Sequence, residues 1–569
     1  MAVLLTTTVT DELRQKHDTH RAGVVAAVLG VLLVYMYLFT YAYELVGLPA
    51  PKAVAEAVGM DVRHVFDDDG NVDSNVEISD TQRYETNDDE RLVFLLTLVC
   101  AFLSAYFLPL GLKQASLVVW ASLAIALLFG VPAALMLLAA HVTVFLTLHP
   151  RADGAYLWGA APGLLVAAGL AATGDPPSPL VVLLPAISAA AYQHVWLPIL
   201  AQPRAGAVLR TIVMQAALIT VCIGAIAEGF TDEEWKLPVG ILFFFWQWER
   251  LLMYHADWKD GTIPEDITLW RYLPVFVTPA AIPNIGMRVA IGQGYSYIDR
   301  TFLCEDKNRI VAAGIKLLLI AMAYLILGHW ARWALVDLFE GFGIEVYNAR
   351  ITEMIKAFHA GEPVSTASVL TTTLLDLVRW VMVYASVAHF KVGVWRICGY
   401  RVDPSFDKPW MATNLVTFWA RFTFHYREFL GRIFYYPVFF RYFRKHRLLR
   451  IVVATLAAVT VGNLIWGHMV ERFYYAGIEA QQFAHTFATW LYFVLLGLGI
   501  GLTEVYLVKK KRKRKPWTPG AGLVGDVIAT YCTLQFYALI HIFIVSRGAS
   551  DNAELFRLFL TAFGIHIPA

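Results

Sequence analysis

Charge is scarce in this sequence. Asp, Glu, Lys and Arg make up 16% of its 569 residues, while 58% are apolar and the mean hydropathy is +0.55. Soluble domains carry roughly a quarter charged residues, so a water-soluble globule of ordinary composition is excluded. Cysteine is scarce too: Cys100, Cys222, Cys304, Cys398 and Cys532 are odd in number and widely spaced. That pattern supports neither a disulfide framework nor a metal site, and the five read as small core hydrophobes. There is no G-x-S-x-G elbow, which removes the main support for a serine hydrolase.

What the sequence has instead is long apolar runs. A spanning helix needs about 20 apolar residues. Such runs extend over 22–46, 93–112, 116–149, 156–174, 179–201, 209–228, 237–255, 310–335, 369–390, 448–468, 484–508 and 522–545. The run 116–149 is long enough to cross twice, with a break at Gly130 and Pro132. The expectation is an all-α polytopic membrane protein with about 12 to 14 membrane segments, its solvent the lipid bilayer. The first run starts at Ala22 after a segment of mixed charge and is as long as a full span, so it reads as a signal anchor rather than a cleavable peptide.

Charge segregation gives an expected topology. With the N-terminus inside, Lys113, Arg151, Arg204, Arg210, Lys391, Arg396, Arg401, the stretch 421–450 and the run 509–515 fall on the cytoplasmic side, as basic loops should. Residues 51–90 hold twelve Asp and Glu against Lys52, Arg63 and Arg83, which places 49–90 outside. The run KKKRKRK at 509–515 follows a span directly, so it reads as an anchor on anionic lipid rather than a nucleic-acid patch. The carboxylates of 67–77 do not follow the spacing of a twelve-residue calcium loop and read as a solvated acidic loop.

Polar groups and prolines inside apolar runs mark the places where chemistry could sit. Gln247, Glu249 and Arg250 lie within or at the end of the run 237–255, where Glu249 and Arg250 can equally snorkel to the interface. The segment WRYLPVFVTPAAIPN, 270–284, has three prolines and cannot be one regular helix. Irregular backbone survives in lipid only where protein or a water-filled cavity surrounds it, so a re-entrant segment is expected. The stretch 406–437 is too charged to span and too aromatic to be a free loop. Asn463, Trp466 and His468 stand at the exoplasmic end of the run 448–468, where a lone histidine is as readily a packing residue as a catalytic one.

Four blocks in order then resemble the membrane-bound O-acyltransferases, in the branch that includes alginate O-acetylases and the teichoic-acid D-alanyl transfer protein. They are LPVGILFFFWQWERLLMY at 237–254, LWRYLPVFVTPAAIPN at 269–284, VWRICGYRVDPSFDKPWMATNLVTFWARFTFHYREFLGRIFYYPVF at 394–439, and GNLIWGHM at 462–469. The third block is the most specific. Two departures stand out: the first histidine of the family pair falls on Thr423, with His425 two residues further on, and Trp466-Gly467-His468 replaces Trp-His-Gly.

The resemblance covers roughly 237–546, an acyltransferase-like core with re-entrant helices around a central cavity. Residues 1–236 are N-terminal membrane helices, and 547–569 an apolar tail. It implies transfer of an acetyl or similar group from a cytoplasmic thioester, acyl-CoA or an acyl carrier protein, to a hydroxyl of an envelope polysaccharide or lipid-linked acceptor. No tightly bound cofactor, metal or nucleic acid is implied; an exoplasmic acyltransferase partner protein and a bacterial inner membrane location are. His468 would be the base that takes the hydroxyl proton, with His425 as the alternative. Thr423 or Asn463 would fix its tautomer or polarise the acyl carbonyl. Asn414, Trp419, Arg421 and Trp466 would contact substrate, with Arg421 suited to a phosphate-bearing donor or an acidic carrier. Two rival readings remain, a transporter or flippase and an inactive scaffold of the same fold. Against the first, the two halves show no inverted repeat of matched broken segments.

Overall fold

The computed structural model describes residues 23–32 and 34, 88–129, the single positions 138, 141 and 145, 253–277 and 516–545 with short gaps, and 294–302, 307–464, 487–510 and 552–567. All regular structure among these residues is helical. The expected spans between 150 and 250, the polar trio Gln247, Glu249 and Arg250, the acidic loop 49–87 and the basic residues 511–515 lie outside them.

Four of the described helices are long and apolar enough to cross a membrane: 307–341, 366–397, 487–510 and 523–544. Each falls on a run expected from the sequence. The helices are, in order, α1 Asp88–Phe107, α2 Leu110–Phe129, α3 Leu269–Phe276, α4 Tyr295–Phe302, α5 Lys307–Gly341, α6 Ile351–His359, α7 Thr366–Ile397, α8 Leu415–Arg421 and α9 Phe424–Leu430. After the π-helical turn Gly431–Tyr435 come α10 Tyr436–Arg441, α11 Arg447–Leu456, a second π-helical turn Ala457–Gly462, α12 Phe487–Lys510, α13 Leu523–Ile540, α14 Ile542–Val545 and α15 Asn552–Thr561.

Two boundaries differ from the apolar runs. The break between α1 and α2 falls at Leu108–Pro109 rather than after Leu112, because Pro109 has no N–H to continue α1 but can precede the first turn of α2; its carbonyl accepts from the Lys113 N–H at 3.0 Å. The run starting at Leu448 is α-helical only to Leu456 and then widens into the π turn. In the proline segment, α3 contains Pro274 and ends at Phe276, so the helix does break where prolines crowd; Pro279 and Pro283 lie outside the described residues.

The chain divides into two compact units, Met1–Val65 with Glu77–Leu319 and Phe390–Asp403, and Phe66–Val76 with Ile320–His389 and Pro404–Ala569. The first is built on an aromatic cluster, Tyr254, Tyr272, Phe276 and Tyr295, with ring centroids 4.5 to 5.7 Å apart. The Tyr272 hydroxyl sits 3.2 Å from His141 Nδ1, and Tyr400 donates to the Pro274 carbonyl at 3.2 Å. α5 and α7 meet in this unit through two glycines. A Cβ on Gly393 would lie 2.8 Å from Leu318 Cδ2 and 3.2 Å from the Gly314 carbonyl oxygen, so backbones approach as small residues allow in membrane helices. Of the described cysteines, Cys398 is buried, and burial pushes its thiol up to about 12, which leaves it inert; Cys100 is half-buried, and Cys532, expected in a core, is exposed.

The second unit holds the polar interior. α13 shows the principle: Asp526, Thr530, Thr533, Tyr537 and His541, which follows its last residue, are buried, while Val524, Val527 and Ile528 are 51 to 71% exposed. This is the inverse of a water-soluble helix, whose apolar side faces inward. The part of α5 in this unit likewise exposes Leu327, Trp330 and Trp333.

The α5–α7 contact generates a test. Gly393→Val should cost about 1–3 kcal/mol by overpacking against Leu318 and the Gly314 backbone. Detergent-purified protein should show a lower thermal midpoint; an unchanged midpoint would contradict the close approach.

Candidate functional site

The segment that carries most of the expected site residues folds as a chain of short helices in the second unit. α8 starts at Asn414, whose side-chain oxygen accepts from the Thr417 N–H at 2.9 Å while Thr417 Oγ1 donates back to the Asn414 carbonyl at 2.9 Å. Asn414 is therefore a helix cap, which gives it a structural role independent of any substrate. α8 lasts only seven residues. Its carbonyl at Arg421 accepts from the Asp407 N–H at 2.9 Å, and the Ser405 carbonyl accepts from the Phe424 N–H at 2.8 Å, so 405–407 pair with 421–424 and hold the chain where the helix stops.

At this break Thr423 has φ +55° and ψ +56°. A β-branched residue in the left-handed region is a genuine outlier, costing of order 1–3 kcal/mol and persisting only where the surroundings impose it. Thr423 is buried and its hydroxyl has no hydrogen-bond partner among the described residues. It precedes α9 without capping it through its side chain, though its carbonyl accepts from the Arg427 N–H at 3.0 Å. Two residues on, His425 is fully buried.

Trp419 is half-buried and packs on Phe422 at 6.0 Å; the Arg421 guanidinium donates to the Lys408 carbonyl at 3.4 Å. Asn463 is buried just after the second π turn. Its Oδ1 accepts from the Tyr426 hydroxyl at 2.9 Å and its Nδ2 donates to the Val459 carbonyl at 2.7 Å, so Asn463 is tied to α9. Trp466 and His468 lie outside the described residues. The structure thus brings Asn463 to α9, and places Thr423 and His425 together in the interior.

The two π turns pack on each other and on α12. A Cβ on Gly462 would meet Leu430 Cδ2 at 2.7 Å, and one on Gly497 would meet Thr460 Oγ1 at 2.7 Å. Such turns recur at functional sites. Beside them Glu504 accepts from the Tyr435 and Thr455 hydroxyls, both at 3.4 Å. From Phe422 a group of rings extends inward: Trp380 at 5.3 Å, Tyr384 at 6.4 Å, Phe418 at 5.4 Å and Tyr537 at 6.3 Å.

Several polar residues here were not singled out in the sequence: Glu504, the ion pair of Asp376 with Arg379 at 2.6 Å, and His541. Their signal was present. Thr372, Asp376 and Trp380 on α7, and Asp526, Thr530, Thr533, Tyr537 and His541 along and just past α13, recur at spacings of three and four on one helix face.

Among known proteins, no family model matches the chain and no curated protein matches it.

The strain at Thr423 is directly testable. Thr423→Gly, which adopts φ +55° at no steric cost, should raise the thermal midpoint by an amount corresponding to about 1 kcal/mol. A drop in midpoint would show that the threonine side chain contributes more than its backbone costs.

Proposed function

We propose that this chain is a polytopic membrane enzyme that transfers an acyl group from a cytoplasmic thioester to a hydroxyl of an envelope polysaccharide or lipid-linked acceptor. Membrane insertion is supported by the four long apolar helices and by α13, which turns valine and isoleucine outward and Asp526, Thr530, Thr533, Tyr537 and His541 inward. The charge pattern supports a cytoplasmic N-terminus, and the resemblance to bacterial envelope acyltransferases supports a bacterial inner membrane.

The observation that carries the functional reading is the buried break at Thr423. The most specific of the four family-like blocks folds there into two short helices joined by a strained residue, with His425 beside it and Asn463 tied to the same helix through Tyr426. Strain of this kind collects at sites where geometry matters more than stability. His468, five residues past Asn463, is the general base of this reading. It takes the acceptor hydroxyl proton as the oxygen attacks the acyl carbonyl, a role worth about 10² to 10⁴ in rate. Arg421 and the basic stretch after it receive the phosphates of the donor or the acidic face of a carrier protein.

A second reading has one observation in its favour: Thr423 stands where the family places a histidine, and its hydroxyl has no partner among the described residues. An inactive scaffold of the same fold would tolerate that.

Cells expressing His468→Ala should lose ester-linked acyl groups from their envelope glycans without losing folded protein, and Thr423→Ala should cost less. If His425→Ala abolishes acylation instead, the base is reassigned; if neither histidine matters while the wild type acylates, the proposed site is wrong. Membrane-impermeant thiol labelling of single cysteines at 67–73 should succeed from outside intact cells. Protection there, with labelling after permeabilisation, would invert the topology.

A further inference from the structure

His541 follows α13, where the helix breaks before α14, and it is 4% exposed. Its backbone N–H is shared between the Tyr537 and Ala538 carbonyls, both at 3.2 Å. Its Nδ1 is buried and has no hydrogen-bond partner among the described residues. Leaving a polar atom of this kind unpaired is costly, and native interiors rarely accept it without a reason.

The surroundings supply one. The His541 ring lies 5.0 Å from Trp380, 6.1 Å from Tyr492 and 6.3 Å from Tyr537. Two of these rings, Trp380 and Tyr537, also touch Phe422, the residue before Thr423, at 5.3 and 6.3 Å. One ring thus separates His541 from Phe422, the neighbour of the strained Thr423, on two paths. Other buried polar atoms of the same unit also have no partner among the described residues: the Thr423 hydroxyl, the Thr372 hydroxyl one turn before Asp376, and Gln535 Oε1, while Gln535 Nε2 donates to the Leu370 carbonyl at 3.2 Å. The charged and titratable groups facing His541 are Asp376 and Arg379 of α7, paired with each other at 2.6 Å, Tyr492 of α12 and Tyr537 of α13. Asp376 is held by Arg379 and gives His541 Nδ1 no hydrogen bond.

Resting on the acyl-transfer reading, we propose that His541 is a further catalytic residue, whose imidazole N–H donates to the acyl carbonyl oxygen of the thioester. As the acceptor oxygen attacks, its proton passes to the base and the carbonyl oxygen gains negative charge, which His541 stabilises. Collapse of the tetrahedral intermediate breaks the carbon–sulfur bond, and the leaving thiolate takes the proton from the base. The new ester holds the acyl group, and nothing is oxidised or reduced. The aromatic walls keep water from the thioester and strengthen the hydrogen bond.

The test compares His541→Phe and His541→Gln with the wild type, in the full chain, in membranes supplied with radiolabelled acetyl-CoA and endogenous acceptor. Phenylalanine keeps the packing and removes the donor; glutamine keeps a donor. His541→Phe should lower kcat by about 10² to 10³ with KM little changed and with folded protein retained, and His541→Gln should recover at least a tenth of the rate. Equal rates in His541→Phe and wild type would make His541 a packing residue and overturn the proposal. A loss in His541→Phe that Gln does not relieve, or one confined to KM, would also overturn it. No labelled ester in the wild type, in membranes where the donor stays intact, would overturn the acyl-transfer reading itself and the role of His541 with it.

Discussion

A polar group taken out of water must find a partner, and in a chain with this little charge that requirement governs nearly everything else. It is why all regular structure among the described residues is helical, each helix satisfying most of its own backbone. It also explains where the helices stop. At Pro109 the missing donor is absorbed at a helix start; at Phe422–Thr423 the freed backbone groups are met by Ser405 and Asp407; in the π turn 457–462 the Val459 carbonyl is met by the Asn463 side chain. Broken helix in the second unit is paired helix by other means.

The same requirement makes the exceptions informative. Among the buried polar atoms with no partner in the described residues are those of Thr423, His541, Thr372 and Gln535, and the first also bears backbone strain. These residues stand close to one aromatic group centred on Phe422, Trp380 and Tyr537 or on the helices that carry it. Under the proposed acyl transfer, these groups are the ones that would meet a ligand bringing its own hydrogen bonds, as a thioester carbonyl and a hydroxyl do.

Much of the frame was legible in the sequence because apolar runs of about 20 residues mark long apolar helices, and the runs 310–335, 369–390, 484–508 and 522–545 all became helices long and apolar enough to cross a membrane. The breaks were harder. A proline such as Pro109 announces itself, but it sat inside a run bounded by the hydropathy of its neighbours. The π turns have no composition of their own; they depend on Gly462 meeting Leu430 and Gly497 meeting Thr460, contacts between residues far apart in the chain. Threonine in a left-handed conformation runs against its propensity, so nothing local could foretell the strain at Thr423. Asn414 was read as a substrate contact and proves to cap α8, a role its position before an apolar run could have indicated. His541 was passed over because the run 522–545 is apolar on average, although its polar residues share one face.

The most direct measurement of the central claim is mass spectrometry of envelope glycans and lipids from cells with and without the chain. The account predicts that an ester-linked acyl group, removable by mild alkali, disappears from one acceptor when the chain is absent and returns with it. Unchanged acylation on every acceptor, accompanied by a shift of some unmodified lipid or glycan between the two faces of the membrane, would contradict it and point to transport.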